Sequence, residues 1–437
     1  MHVVIIGGGA AGIAAAHTIL GSSKSHKVTL FESRGTYGGR ALTDDTSISG
    51  FAFDKGCQYI QDEKHNPWTA IAKELGFDTF PEKVDDVLRR EEEDGKFVDE
   101  KTTAEPVKEV SDAIEASYEE ARKQPNVIVA RKPRLDTQAE MFGHAVSEFG
   151  PFTESAEVYQ YIAADRARVV SYEGDGNAFV TRGLGTLVRA YGLELKKRFG
   201  DRITEYFQTP VGIVRYTGSG VTVVSRSGGK TVAADAVIIT VPTSVLASGA
   251  IAFDPPLSKE YRSVFNILRL GSYKKLALKC NRIPDELEVD TNYYLIETEP
   301  EGVWKYYRLS KTPDVLVVHA AGDFAMALDG MADKDVFALF KKTLQEAYEG
   351  LIAYAPGKAI TNWSRDPDAL GAYSYTAMVG GGPSDPTALN ARIQLKKPVS
   401  GTVHFTGEAA SLGFYGTLSG AYDEGVATAR AVLGVSG

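Results

Sequence analysis

Met1-His2-Val3-Val4-Ile5-Ile6-Gly7-Gly8-Gly9-Ala10-Ala11-Gly12 opens the chain and decides its reading. An apolar run of strand character meets a glycine turn, an alanine-rich stretch continues to about Leu20, and a second apolar run, Lys27-Val28-Thr29-Leu30-Phe31, ends on Glu32. The pattern is strand, turn, helix, strand. Gly7, Gly9, Ala11 and Gly12 shape the turn: the first glycine allows the tight bend, the second lets the backbone approach a pyrophosphate, and the last lets the helix lie against the strand. The helix N-terminus adds N–H donors and the positive end of a dipole. Glu32 stands twenty residues past Gly12, where a carboxylate accepts hydrogen bonds from ribose hydroxyls and repels the additional phosphate of NADP. The segment predicts an adenine-dinucleotide socket.

The next residues separate FAD from NAD. Glu32-Ser33-Arg34-Gly35-Thr36-Tyr37-Gly38-Gly39-Arg40 carries a second Gly-Gly bend followed by arginine. With Arg34, Gly39 and Arg40, more backbone amides and fixed cations converge on the same pyrophosphate, which suits a dinucleotide held permanently in extended form. FAD is the expected cofactor.

At 437 residues the chain exceeds a single core, so two or three domains are expected. Apolar content of 43% and charged content of 24% are those of an ordinary globular protein, which argues against extensive disorder. A formal net charge of −9 disfavours nucleic acid and anionic membranes. Cys57 and Cys280 match no redox or metal spacing, the seven histidines are scattered, and no metal site is expected. The first strand begins at residue 2 and no run of eighteen apolar residues occurs, so the expected location is cytoplasmic.

Further along, Phe51 to Ile60 alternates like a strand and a helix is expected from about Pro67 to Leu75. Residues 80–178 are richer in charge, with the run Arg89 to Asp94 read as a solvated face and Val107, Val110, Ile114 and Tyr118 at helical spacing. Alternation of α and β character returns after residue 179, with a helix from about Leu184 to Arg198 and a strand at Ala236 to Thr240. Strands are then expected near Ser272–Lys279, Tyr293–Glu297, Trp304–Leu309 and Val315–Ala320, and a helix near Asp333–Tyr348. His404-Phe405-Thr406-Gly407-Glu408 and a helix from about Leu418 to Leu433 close the chain as another strand, turn and helix.

Taken in order, Gly7 to Arg40, Phe51 to Tyr59, Phe179 to Leu187, Thr209 to Val211, Val237 to Leu257, Gly271 to Cys280, Asn362 to Tyr375 and His404 to Ala427 resemble the flavin-containing amine oxidase family. That family includes monoamine and polyamine oxidases, L-amino-acid oxidases and lysine-specific histone demethylases. The resemblance implies an α/β chain with a discontinuous Rossmann-like FAD-binding domain, from residues 1–79, 179–265 and 395–437. Residues 80–178 and 266–394 would form a substrate-binding domain of mixed β-sheet flanked by helices, with a helical insert. It also implies hydride transfer from the carbon next to an amine nitrogen to flavin, imine hydrolysis, and reoxidation by O2 to H2O2. The substrate would be a small amine, polyamine or L-amino acid.

Residue by residue, the resemblance assigns Lys275 to the position of a lysine that holds water against flavin N5. Trp363 is assigned to an aromatic beside the flavin and Tyr373 to one wall of an aromatic cage. Val211 would read the adenine edge through its backbone, and Gly407-Glu408 would place the ribityl or phosphate region. Two departures are visible. Thr417 stands where monoamine oxidases carry the second cage tyrosine, leaving Phe414 or Tyr415 as candidates for that wall. Ala372 precedes Tyr373 where those enzymes carry a flavin-linking cysteine, so FAD is expected to be noncovalent. Arg166, Arg168 and Glu297 are candidate substrate contacts. An NAD(P)H-dependent renalase-like oxidoreductase and a flavin-dependent carbon–carbon desaturase or isomerase are the alternatives. Oligomeric state is not legible.

Overall fold

The strand His2–Ile6 lies at the centre of a five-stranded parallel sheet in the order Ile203–Tyr206, Lys27–Phe31, His2–Ile6, Ala236–Ile239, Val403–Phe405. The computed structural model describes residues 1–437 apart from 83–84, 87–89, 92–96, 99, 124–137, 148, 171, 173–175, 286, 290, 378–385 and 436–437. Most of the charged run at Arg89–Asp94 therefore lies outside the described residues.

Both faces of this sheet are covered, which is why its strands read as continuous apolar runs. Val3 and Ile5 pack towards the helices Ala10–Ser22 and Leu184–Phe199 through Ile13, Ala16, Ile19, Leu187 and Val188. Val4 and Ile6 point the other way, into a cluster with Val214, Val221, Val223 and Leu246. Each such fully buried Val or Ile contributes roughly 1.5–3 kcal/mol. That second layer is a four-stranded sheet of Thr231–Ala234, Gly220–Ser225, Val211–Thr217 and Ala252–Asp254. Gly12 sits against the Gly7 carbonyl so closely that a methyl group there would collide with it.

A six-stranded sheet forms the other half, in the order Ala353–Ile360, Tyr273–Arg282, Asp314–Ala321, Glu301–Lys311, Thr291–Thr298, Asp85–Asp86. Its back face buries Leu276, Leu278, Leu316, Val318 and Tyr306 against Val336, Phe337, Phe340 and Leu344 of the helix Asp333–Ala347. The strand period of two sends Lys275 and Ala277 to the front. Ala277 packs there with Tyr307, Val317 and Phe53, while Lys274, on the back, is fully buried and pairs with Asp329 at 2.7 Å.

The expected strands and helices appear close to their anticipated positions, including Leu184–Phe199, Glu100–Lys123 with Ile114 buried, and Leu418–Val432. Phe51 to Ile60 does not form one strand. Only Phe53–Asp54 and Tyr59–Ile60 pair, separated by an irregular Lys55-Gly56-Cys57 passage. Gly56 passes so close to the Arg40 carbonyl that no side chain fits. Among the described residues no helix is long and apolar enough to cross a membrane, and no cluster of three or more His, Cys, Asp or Glu could hold a metal ion.

Candidate active site

A cavity of about 900 Å³ runs from the Gly7–Gly12 turn to the front face of the six-stranded sheet. At its first end Gly7 takes a φ of +109°, open to glycine and unfavourable for other residues. The helix Ala10–Ser22 begins at Gly9 with no side-chain cap and no acid in its first turn, so its leading N–H groups are available to an anion. A methyl group built on Gly9 would stand clear of its neighbours, with the nearest atom, Gly39 Cα, 3.8 Å away. The turn is thus a cradle with room for a phosphate.

Glu32 is buried beneath this turn. Its Oε2 accepts from Gly8 N at 2.6 Å and its Oε1 from Arg34 N at 2.7 Å. Burial raises its pKa, against the opposing effect of these hydrogen bonds. Arg34 donates to Gly39 O at 3.1 Å, pairs with Asp366 at 2.6 Å, and lies 5.6 Å over the Trp363 ring. Arg40 donates to Ala372 O and to Glu408, both at 2.8 Å. Glu408 also accepts from Ser374 N, Ser374 Oγ and Gly416 N. Burial works against its ionisation, but Arg40, Ser374 and Arg392 outweigh that and hold its pKa low. These groups fasten the 363–374 and 407–416 segments to the second Gly-Gly bend. Val211 lines the cavity at the start of its strand, where the ladder shifts register between Val211 and Ile213.

At the far end Lys275 is buried, and its Nζ donates to Asp54 O at 2.7 Å and Gly56 O at 3.0 Å. The Gly56 carbonyl comes from the 55–57 passage that has left the β ladder, and the Asp54 carbonyl from the end of the short strand before it. Asp54 is itself tied down: its carboxylate accepts from Thr43 Oγ1, Leu184 N and Gly185 N, closing the start of the helix Leu184–Phe199 where Gly183 brings no cap. Burial lowers the Lys275 pKa to about 8, with Asp54 acting in the opposite direction. Trp363 Nε1 donates to the neighbouring Lys55 O at 2.9 Å, which sets the indole along the same wall.

Tyr373 faces the cavity with its hydroxyl anchored on Thr153 O at 3.0 Å. Thr417 lines the cavity too, but its side chain is engaged as the cap of the helix Leu418–Val432. It accepts from Gly420 N at 2.9 Å and donates to Phe414 O at 2.7 Å. A hydroxyl so occupied supplies no cage wall, and the structure gives Thr417 the job of aiming a helix N-terminus into the cavity. Both aromatics expected to replace it line the cavity, and Tyr415 is largely buried there, stacked with Arg392 and with its hydroxyl on Glu154 at 3.1 Å. Phe414 stacks on Tyr172 at 6.1 Å.

Of the three substrate candidates, only Arg166 reaches the cavity, where it pairs with Glu154 at 2.5 Å. Arg168 binds Asp165 and Leu389 O, and Glu297 is buried against Thr343 and Trp304. Sequence reasoning missed the sheet residues Tyr273, Asn292, Tyr294, Lys305 and His319, all of which line the cavity. Strand alternation placed each on one of two faces, and only the cross-strand register brings them together.

A glycine cradle at a helix N-terminus, an acid beneath it, and a long cavity reaching a buried lysine and an indole define a dinucleotide-binding flavoprotein. The sequence profile described as flavin containing amine oxidoreductase matches residues 10–433, and the chain belongs to that family. Probable polyamine oxidase 4 of Arabidopsis thaliana is 28% identical over 461 residues, covering 98% of this chain and 86% of the relative. Lysine-specific histone demethylase 2 of Homo sapiens is 27% identical over 453 residues, covering 98% of this chain but 53% of the relative, so the chain spans about half of that protein. Putrescine oxidase solved with putrescine bound shares the fold, with a TM-score of 0.76, 19% identity and 99% of each chain covered. FAD is the cofactor, held noncovalently, in a flavin-dependent oxidoreductase.

Proposed function

We propose that this protein oxidises the carbon next to the nitrogen of a small amine and passes the electrons to O2, releasing H2O2. The observation that carries the reading is Lys275, buried at the far end of the dinucleotide cavity and fixed by two main-chain carbonyls beside Trp363. When bound, FAD supplies the hydride acceptor. Gly7, Gly9, Ala11, Gly12 and Glu32 would hold its adenosine and pyrophosphate part together with Val211, and Arg34, Gly39, Arg40, Gly407 and Glu408 would shape the segment beyond. Lys275 is placed to hold a water and, as a cation, to favour charge developing where O2 is reduced. Trp363 and Tyr373 orient the amine, while the helix N-terminus capped by Thr417 directs its N–H groups at the cofactor.

In this proposal residues 1–79, 179–265 and 395–437 serve the cofactor, residues 80–178 and 266–394 the substrate, and the setting is the cytoplasm. The free thiols of Cys57 and Cys280 suit such a reducing compartment. The test is anaerobic titration of the purified protein with amines, polyamines, L-amino acids and NAD(P)H, followed by the visible absorbance of oxidised flavin. Bleaching by an amine class, with peroxide on readmission of air, is the expected result. Bleaching by NAD(P)H alone would move the protein to the reductase class.

A further inference from the structure

The strand Tyr273–Arg282 presents Tyr273 and Lys275 on one face, two residues apart, and both line the cavity. On the neighbouring strand Asp314–Ala321, His319 stands directly opposite Lys275, and Ala321 opposite Tyr273. The Tyr273 hydroxyl nevertheless reaches His319, 2.7 Å from its Nδ1. The phenol therefore leans along the strand on the diagonal, and its Oη comes level with Lys275.

Each of these two groups has one hydrogen left for the cavity. Lys275 carries three N–H donors and gives two of them to Asp54 O and Gly56 O, at 2.7 and 3.0 Å. For Tyr273 the direction is set by the hydrogen bonds behind it. Gln58 donates its amide N–H to Tyr307 Oη at 2.7 Å, so Tyr307 directs its own hydrogen to His319 Nε2, 3.2 Å away. The imidazole is neutral, because burial first, and then the charges of Lys275 and Lys305, keep its pKa well below 6.5. Its single proton is therefore on Nδ1 and is donated to Tyr273 Oη. Burial raises the pKa of Tyr273 well above the usual tyrosine range, so the phenol keeps its proton and turns it to the cavity.

We propose that the Tyr273 hydroxyl and the third N–H of Lys275 form a pocket for a small monovalent anion, that His319 is the positioning residue of that hydroxyl, and that the pocket serves the negative charge that builds on O2 during its reduction. This rests on the oxidase half of the reading above. Reduction of O2 to H2O2 takes two electrons and two protons. Both electrons and one proton come from the reduced cofactor and the second proton from water, while Tyr273 and Lys275 keep their own. Two donors fixed before the charge appears stabilise it without reorganising, as in an oxyanion hole. The water assigned to Lys275 is the resting occupant of the pocket. Carboxylates in the neighbourhood are engaged or distant. Asp54 accepts from Thr43 Oγ1, Leu184 N and Gly185 N, and Glu82 accepts from Asn177. The edge strand Asp85–Asp86 lies four strands from Tyr273–Arg282 in the order of the sheet, roughly 19 Å away.

The probe is azide, titrated into the oxidised holoenzyme while the visible flavin spectrum is followed, a measurement that needs no amine. The wild type should show a saturable perturbation, with azide bound about tenfold more weakly in Tyr273→Phe and not at all in Lys275→Met. His319→Leu should weaken azide by a smaller factor. The double variant Tyr273→Phe, His319→Leu should bind it no more weakly than Tyr273→Phe alone, as expected of a histidine that acts through the tyrosine. In protein carrying 15N-histidine, the imidazole signal lost in His319→Leu should be that of a neutral ring protonated on Nδ1 from about pH 6 to 9. Reoxidation by O2 is followed after photoreduction of the flavin, again without amine, and should be about tenfold slower or more in Tyr273→Phe. Absence of an azide effect in the wild type, azide affinity or reoxidation unchanged in Tyr273→Phe, or a His319 protonated on Nε2 would overturn the pocket. Bleaching of the flavin by amines would leave amine oxidation standing in each of those cases. Failure of every amine to bleach the flavin, with the azide and reoxidation results as expected, would overturn the amine reading and support the pocket.

Discussion

Lys275 shows how one side chain is tuned by what surrounds it. A lysine on a strand of alternating character would ordinarily be solvated, yet here its ammonium is dehydrated and compensated by the carbonyls of Asp54 and Gly56. Removal from water lowers its pKa to about 8. It is therefore largely cationic at neutral pH and loses its charge as pH rises through that value. If its charge assists the reduction of O2, the reoxidation rate falls across the same interval. Lys275→Met should retain FAD, reoxidise about 10²-fold more slowly, and lose the pH dependence seen from roughly pH 7 to 9. Stopped-flow mixing of the anaerobically reduced protein with oxygenated buffer measures this. An unchanged rate and profile would remove the lysine from the reaction.

Among the elements, the short Phe53–Asp54 strand and the passage after it do more than their length suggests. The Asp54 side chain closes the N-terminus of the helix Leu184–Phe199, and its carbonyl holds Lys275. Asp54→Ala should cost about 1 kcal/mol through the lost cap and, with the attracting carboxylate gone, shift the Lys275 midpoint to lower pH. A melting scan and the pH profile of reoxidation test the two halves of that expectation separately; a lower melting temperature with an unmoved profile would confine Asp54 to the cap. The element also marks a limit of sequence reading. Its apolar alternation imitates a strand, and what breaks it is Gly56 meeting the Arg40 carbonyl, a contact between residues distant in the chain. Helices such as Leu184–Phe199 and Leu418–Val432 were legible because their apolar period and their flanking glycine or threonine are local.

On the scale of the molecule, the parallel sheet could be anticipated from Val3 to Ile6, whose unbroken apolar run requires cover on both faces. The row Lys275, His319, Lys305 could not, because strand alternation assigns a face and leaves register to the turns and packing of the whole sheet. The cavity has the same non-local character. Its walls come from residues 6–11, 31–41, 55–62, 209–211, 240–245, 363–373 and 407–421, and the ties Arg34–Asp366 and Arg40–Glu408 join pieces more than three hundred residues apart. A ligand spanning the cavity binds the folded arrangement and finds no equivalent in the unfolded chain, so FAD at a hundred times its Kd should stabilise the deflavinated protein by about 2.7 kcal/mol. The two ends also differ in kind, with the glycine cradle suited to a pyrophosphate and the Trp363–Lys275 wall to a ring. Joining them in one molecule makes the second contact intramolecular. At equal concentration FAD should therefore raise the melting temperature by more than ADP and riboflavin added together. If riboflavin alone reproduced the shift of FAD, the glycine turn would not be the anchor of the cofactor, and the reading that begins at Gly7 would fail at its first step.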